Sequence, residues 1–255
     1  MTSGDFYKLS VISSTLKFKI SLNGVNVLTF DKDSAYSSSF FVNEWLVSGP
    51  NKLRLEILDS EEEVDFTSII ILELIKGDRW DKGMLNKSNV AELRYNEFHK
   101  EFKPQFTEQF HISSPKFEEA FGPMKILDIK NTELLSSFFR KVESLYLLFE
   151  DENTEAISKE IDLRCSYYDL VYERKPGETL KEYTGMLKDS FAQEEIMLFK
   201  RELLSPDFHF GNRLITLDYK KFNLPAINME LDDGSIRSFR FYWALNDEDE
   251  FYIIR

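Results

Sequence analysis

One cysteine, three histidines and seven prolines in 255 residues leave few routes to redox, metal or disulfide chemistry. With Cys165 alone there is no internal disulfide, and cysteine usage gives no sign of an oxidising compartment. His99, His111 and His209 do not stand at i, i+4 on a common helix, so no metal site is expected. The longest apolar run, "SIIILELI" at 68–75, has the length of a strand. It falls far short of the roughly 20 residues that cross a bilayer. The opening "MTSGDFYKLSVISSTLKFKI" has no basic leader region, no apolar core of about 7–15 residues and no small-residue cleavage site. A cytoplasmic protein without a membrane partner is therefore expected, and Asn86-Lys87-Ser88 reads as a chance glycosylation match.

Catalytic signatures are also missing. There is no phosphate-cradling G-x-G-x-x-G or G-x-x-x-x-G-K-[ST], and no serine sits in a G-x-S-x-G elbow. No catalytic residue and no cofactor is assigned. Positive charge is scarce too: 32 Lys and Arg stand against 45 Asp and Glu, for a net charge of −13. Nucleic acid recruits Lys and Arg, so this balance argues against a nucleic-acid partner and favours a basic protein drawn in by long-range steering. The excess is uneven, with 15 basic and 19 acidic side chains in residues 1–127 against 17 and 26 in residues 128–255.

Phenylalanine and tyrosine are abundant, 23 and 11 residues, and 42% of the chain is hydrophobic, enough for a substantial core. The first half reads as β. "TLKFKISLNGVNVLTF" places two alternating runs around Asn23-Gly24, a strong hairpin signal because a tight I′ turn needs positive φ at both central positions. Within "VNEWLVSGPNKLRLEI" (42–57), Gly49-Pro50 sets a turn, after which Leu53, Leu55 and Ile57 alternate with charged residues. Glu61-Glu62-Glu63 reads as a solvated loop and "FTSIIILELI" as a buried strand. Short strands are expected near 90–95 and 107–112, and the spacing of strands and turns suggests a sandwich.

Beyond about residue 128 the period changes to that of helices. Leu134, Phe138, Val142, Leu145 and Phe149 share one helix face, and Ile157, Ile161, Cys165, Tyr168 and Tyr172 share another. Pro176-Gly177 ends the second helix. Thr179-x-x-Glu182 reads as a capping box for a third, expected to reach about Leu204 with Leu198 inward. Alternation then resumes at Ile215–Tyr219, Ile227–Leu231 and Phe239–Leu245, and "FYII" closes the chain. A two-residue loop at Asp233-Gly234 would set Phe239 on the face opposite Met229. Either a shifted register or a sheet covered on both faces is needed. The expected architecture is α+β: an antiparallel β-sandwich over 1–126, then three helices and an antiparallel sheet over 127–255.

Three features compete as functional sites. Asp207-x-His209 would put two ligands on one strand face, without an evident third. Tyr167, Tyr168, Tyr172, Tyr183, Phe239, Phe241, Tyr242 and Trp243 would either form core or line a small-ligand pocket, with His209 and Glu230 the titratable groups to inspect. The acidic pairs and runs Asp232-Asp233 and Asp247-Glu248-Asp249-Glu250 would sit on neighbouring hairpin tips of one sheet. There they would face a basic active surface, with Tyr242 as an aromatic anchor. Cys165, on an apolar helix stripe, reads as a small buried hydrophobe.

The stretch from "FKISLNG" through "FFVNEWLVSGPNKLRLEI" resembles the galactose-binding-like β-sandwiches, with Asn23-Gly24, Leu46, Gly49-Pro50-Asn51 and Leu53-x-Leu55 in the matching places. That resemblance implies a structural turn, not a sugar site. The second half is similar to the nuclear-transport-factor-like and cystatin-like cone folds, although here the strands follow the helices. As a whole the chain resembles the immunity proteins that neutralise antibacterial toxins such as type VI secretion effectors. This implies a non-enzymatic inhibitor of a basic toxin domain; the alternative is a small-ligand protein or enzyme using the aromatic pocket.

Overall fold

The computed structural model describes residues 5–59, 68–78, 85–95, 104–113, 124–221, 224–231 and 234–254. Glu61-Glu62-Glu63 and His99 lie outside them. Two compact units divide the chain, Met1–Phe121 and Gly122–Arg255.

Among its described residues the first unit has eight antiparallel strands in two sheets. One runs in the order β4 (Tyr36–Phe41), β1 (Phe6–Ser13), β6 (Ile70–Asp78), β7 (Leu85–Tyr95). The other runs β3 (Val25–Phe30), β2 (Phe18–Leu22), β5 (Gly49–Ile57), β8 (Gln105–Ile112). Leu9 and Val11, Leu72 and Leu74, Phe18 and Ile20, and Leu53 and Leu55 are all fully buried. They are the period-2 faces that two stacked sheets turn toward each other. Aromatic contacts join the sheets at both margins: Tyr36 meets Phe30 at 4.7 Å and Phe18 at 5.6 Å, and Tyr95 meets Phe106 at 5.9 Å. The sandwich expected from the strand spacing is what forms.

Its turn chemistry follows from side-chain amides. Asn23 and Gly24 both have positive φ, 53° and 81°, giving the two-residue link between Leu22 and Val25. Gly49 sits at φ 101°, a conformation that a side chain strains. Asn51, 2% exposed, accepts from Val47 N (2.9 Å) and Asn23 Nδ2 (2.8 Å) and donates to Val47 O (2.8 Å) and Gly49 O (3.0 Å). Each of its donor and acceptor sites is used, so Gly49-Pro50-Asn51, which open β5 as strand residues paired with β8 and not as the expected turn, are locked onto the hairpin.

The second unit opens with α1 (Thr132–Glu150), α2 (Thr154–Val171) and α3 (Glu178–Phe191). Asn131 and Asn153 cap the first two by accepting from Leu134 N (3.0 Å) and Ala156 N (3.1 Å). The third is capped differently from expectation. Thr179 does not cap its own helix; its hydroxyl and N–H, with the Gly177 N–H, donate to Asp169 of α2 at 2.5, 2.9 and 2.7 Å. Glu182, the other half of the expected box, pairs with Arg174 instead. The helix also ends earlier than Leu204, because residues 194–196 form a strand that pairs with a distant one.

Two antiparallel sheets follow. The larger has the order β10 (Leu204–His209), β11 (Leu214–Tyr219), β15 (Trp243–Leu245), β16 (Phe251–Ile253), with β12 (Leu224–Pro225) beside β11. The smaller has the order β14 (Ile236–Phe239), β13 (Ile227–Leu231), β9 (Glu194–Ile196). Glu230 pairs with Ile236 and Ile227 with Phe239, so the register is displaced by one residue from that of a two-residue Asp-Gly loop. That displacement puts Phe239 on the Met229 face. The run 239–245 is not one strand: it leaves the small sheet after Phe239 and enters the large one at Trp243.

The inward stripe of α1 binds both sheets into one core. Phe138 meets Trp243 at 6.1 Å and Phe251 at 5.1 Å, while Phe149 meets Phe239 at 5.1 Å and Phe241 at 6.3 Å. Ile157, Ile161 and Cys165 supply the buried face of α2. Burial pushes the Cys165 thiol up to about 11, which fits a small core residue and not a thiolate. Among the described residues no helix is long and apolar enough to cross a membrane.

Candidate functional site

The acidic residues 247–250 occupy the turn between β15 and β16, and all four are exposed. Asn246 organises that turn: its Oδ1 accepts from Glu248 N at 3.0 Å and Glu250 N at 2.8 Å, and its N–H donates to Glu250 O at 3.1 Å. Asp249 adopts φ 63°, a left-handed conformation that Asp tolerates better than most residues. Lys125, arriving from the start of the unit, donates to Asp247 O at 2.7 Å and pairs with Asp249 Oδ1 at 2.8 Å. One carboxylate of the four is thus engaged internally. Asp247, Glu248 and Glu250 project from a backbone already fixed.

The other expected members of this surface fare differently. Asp232 and Asp233 lie outside the described residues. The strands on either side of them in sequence, β13 and β14, pair in the small sheet, whereas β15 and β16, which flank 247–250, pair in the large one. Tyr242 is 4% exposed, with its ring edge on His209 at 5.2 Å. Burial raises its phenol above the usual range. It is a core residue, because the chain must turn inward there to pass from one sheet to the other.

His209 belongs to a buried polar chain along β10 and β11. Thr216 Oγ1 donates to Asp218 Oδ2 at 2.7 Å and lies 3.0 Å from His209 Nε2. A hydroxyl has one proton, so Thr216 accepts from a protonated Nε2. Arg240 extends the chain, its Nη2 3.2 Å from Asp218 Oδ1. Asp207 stands 4.0 Å from His209, and among the described residues no third His, Cys, Asp or Glu completes a metal-sized group. Glu230 is exposed on the small sheet and does not join His209.

Of the two readings of the aromatic set, core or small-ligand pocket, the contacts favour core. The Arg164 guanidinium lies 5.3 Å from the ring centre of Phe241, 5.4 Å from Tyr183 and 5.7 Å from Tyr168, taking the place a ligand would need. Desolvation pushes the Tyr183 phenol up to about 12, with the Arg164 charge opposing the rise. The hollow bordered by Val142, Leu217, Phe239, Arg240, Phe241 and Trp243 holds only about 10 Å³. That is scarcely one water.

A larger space lies elsewhere in the unit. Met197, Leu198, Leu203, Leu224 and Ile236, with the Tyr219 ring, Asn228 and Lys200, line an open groove of about 430 Å³. Leu198, Leu203 and Ile236 are 68%, 49% and 43% exposed, unusually wet for side chains of their kind. Helical spacing hid this groove in the sequence by assigning Leu198 to the core. The one legible signal was the crowding of apolar residues in "IMLFKRELL", with too few turns of helix left to bury them all.

No protein-family model matches the chain, and no curated protein or solved structure matches it significantly.

Proposed function

We propose that this chain is a cytoplasmic binding protein that neutralises a basic protein partner, in the manner of the immunity proteins that block antibacterial toxins such as type VI secretion effectors. The observation that carries this reading is the β15–β16 turn: Asp247, Glu248 and Glu250 project from a backbone held by Asn246 and Lys125. Preorganised carboxylates lose little freedom on meeting Arg and Lys, so they give orientation and a fast encounter. The mechanism is occlusion: the turn covers a cationic active surface without any bond being made or broken. A net charge of −13 supplies the attraction at longer range.

Co-expression with the product of the neighbouring gene, followed by co-purification, tests the reading. A stable complex is expected, with an association rate that falls as salt rises through about 0.15 M, where the screening length is about 8 Å. Reversing the turn charges (D247K, E248K and E250K together) is expected to slow association by about tenfold or more. Failure to find a complex with that product or in a pull-down from the native host would remove the basis of the proposal.

A further inference from the structure

The groove of the second unit has a chemistry of its own, independent of the acidic turn. Its polar atoms are nearly all spoken for. Tyr219 Oη accepts from Lys200 N at 2.8 Å and donates to Leu198 O at 3.3 Å, so the residue presents only its ring. Asn228 donates to Pro225 O at 2.5 Å and accepts from Ser238 Oγ at 2.8 Å. Along the 197–203 wall, Met197 N donates to Asn228 O at 2.9 Å and Leu203 N to Lys200 O at 2.9 Å. An extended peptide would find little free backbone to pair with there. One charged residue borders the groove: Lys200, which is exposed and, among the described residues, ion-paired with no carboxylate.

We propose that this groove binds a free medium-chain carboxylate, its alkyl tail along Leu198, Leu203, Leu224 and Ile236 and its head at Lys200. The volume lies within the range of small-molecule sites, and the lining matches their pattern of apolar walls with a single orienting polar group. A tail of this kind needs no hydrogen bonds, and the carboxylate supplies the one charge that Lys200 lacks.

Calorimetric titration of the full chain with decanoate, below its micelle concentration, tests this, with 1-decanol as the uncharged comparison. Saturable binding at one site is expected. Leu203→Asp, at an exposed position that leaves the core intact, should weaken decanoate by about tenfold or more, and Ile236→Glu should do the same from the opposite wall. Lys200→Met should weaken decanoate by about two- to fivefold, the range of an exposed ion pair, and leave decanol unchanged. Four results would each overturn the proposal. One is no saturable decanoate binding, and a second is binding that neither groove variant moves. The third is equal decanoate and decanol affinity unaffected by Lys200→Met, which would make the groove a seat for an uncharged apolar anchor. Association with anionic vesicles without binding of free decanoate would likewise refute it.

Discussion

Replacing Asp169 with Asn is expected to cost about 1–3 kcal/mol, because one carboxylate takes three donors from the start of α3. Burial alone would raise its pKa. The Thr179 hydroxyl, the Thr179 and Gly177 N–H groups and the Arg174 charge outweigh that and hold it below the usual carboxylate range. Its contribution is therefore complete above the unfolded value of about 3.9 and is lost as pH falls through the depressed folded value. Urea titrations of parent and Asp169→Asn should differ clearly at pH 7 and converge in strong acid. Equal midpoints at pH 7 would show that the contact carries no weight. This cap was invisible in the sequence for a simple reason. Thr179-x-x-Glu182 satisfies the local pattern, and nothing local reveals that a carboxylate ten residues upstream arrives through the antiparallel packing of α2 on α3. Asn23-Gly24 was legible because its turn is decided by backbone sterics within two residues.

At the scale of elements, periodicity reported faithfully in α1 and β5 but not at the end of α2, where Tyr167 and Val171 are buried and the expected Tyr168 and Tyr172 only half so. The α1 stripe from Phe138 to Phe149 and the alternation of β5 are buried as their spacing requires. It failed where long-range pairing overrode it. Ile196 pairs with Met229, so β9 forms where the helical pattern would have continued. The three serines of β4 give no alternation, yet the strand is defined by its ladder with β1. The β15–β16 turn supports a prediction at this scale. Lys125→Met removes one exposed ion pair and one bond to Asp247 O, so global stability should change by less than about 1 kcal/mol. Amide exchange at 247–250 should nevertheless quicken, as local opening no longer breaks those contacts. Unchanged exchange at those amides would mean that Asn246 alone holds the turn.

For the whole molecule, the α+β class and the order of its parts follow from the change of period near residue 128. Each unit has its own buried aromatic and aliphatic set, which leads to the expectation that 1–121 and 122–255, expressed separately, each unfold in one cooperative transition. Chemical denaturation followed by circular dichroism checks this; a non-cooperative melt of either piece would show that its core is incomplete alone. The aromatic pocket was the least legible feature. Phe239, Phe241 and Trp243 join the core and Tyr183 packs against it, while Tyr242 lies against His209; whether rings enclose a ligand or a side chain turned on Arg164, whose charge gave no hint of an interior position.

Lys125 gives the acidic turn a resident counter-ion. A cationic visitor that engages Asp249 must share that carboxylate or dislodge the lysine side chain, while the backbone of that segment stays tied to Leu245 O and Asn212 O. Recognition at this tip would then be felt as a released Lys125 side chain beside a backbone that does not move, a change that a spectroscopic label at the exposed Ile126 is placed to record.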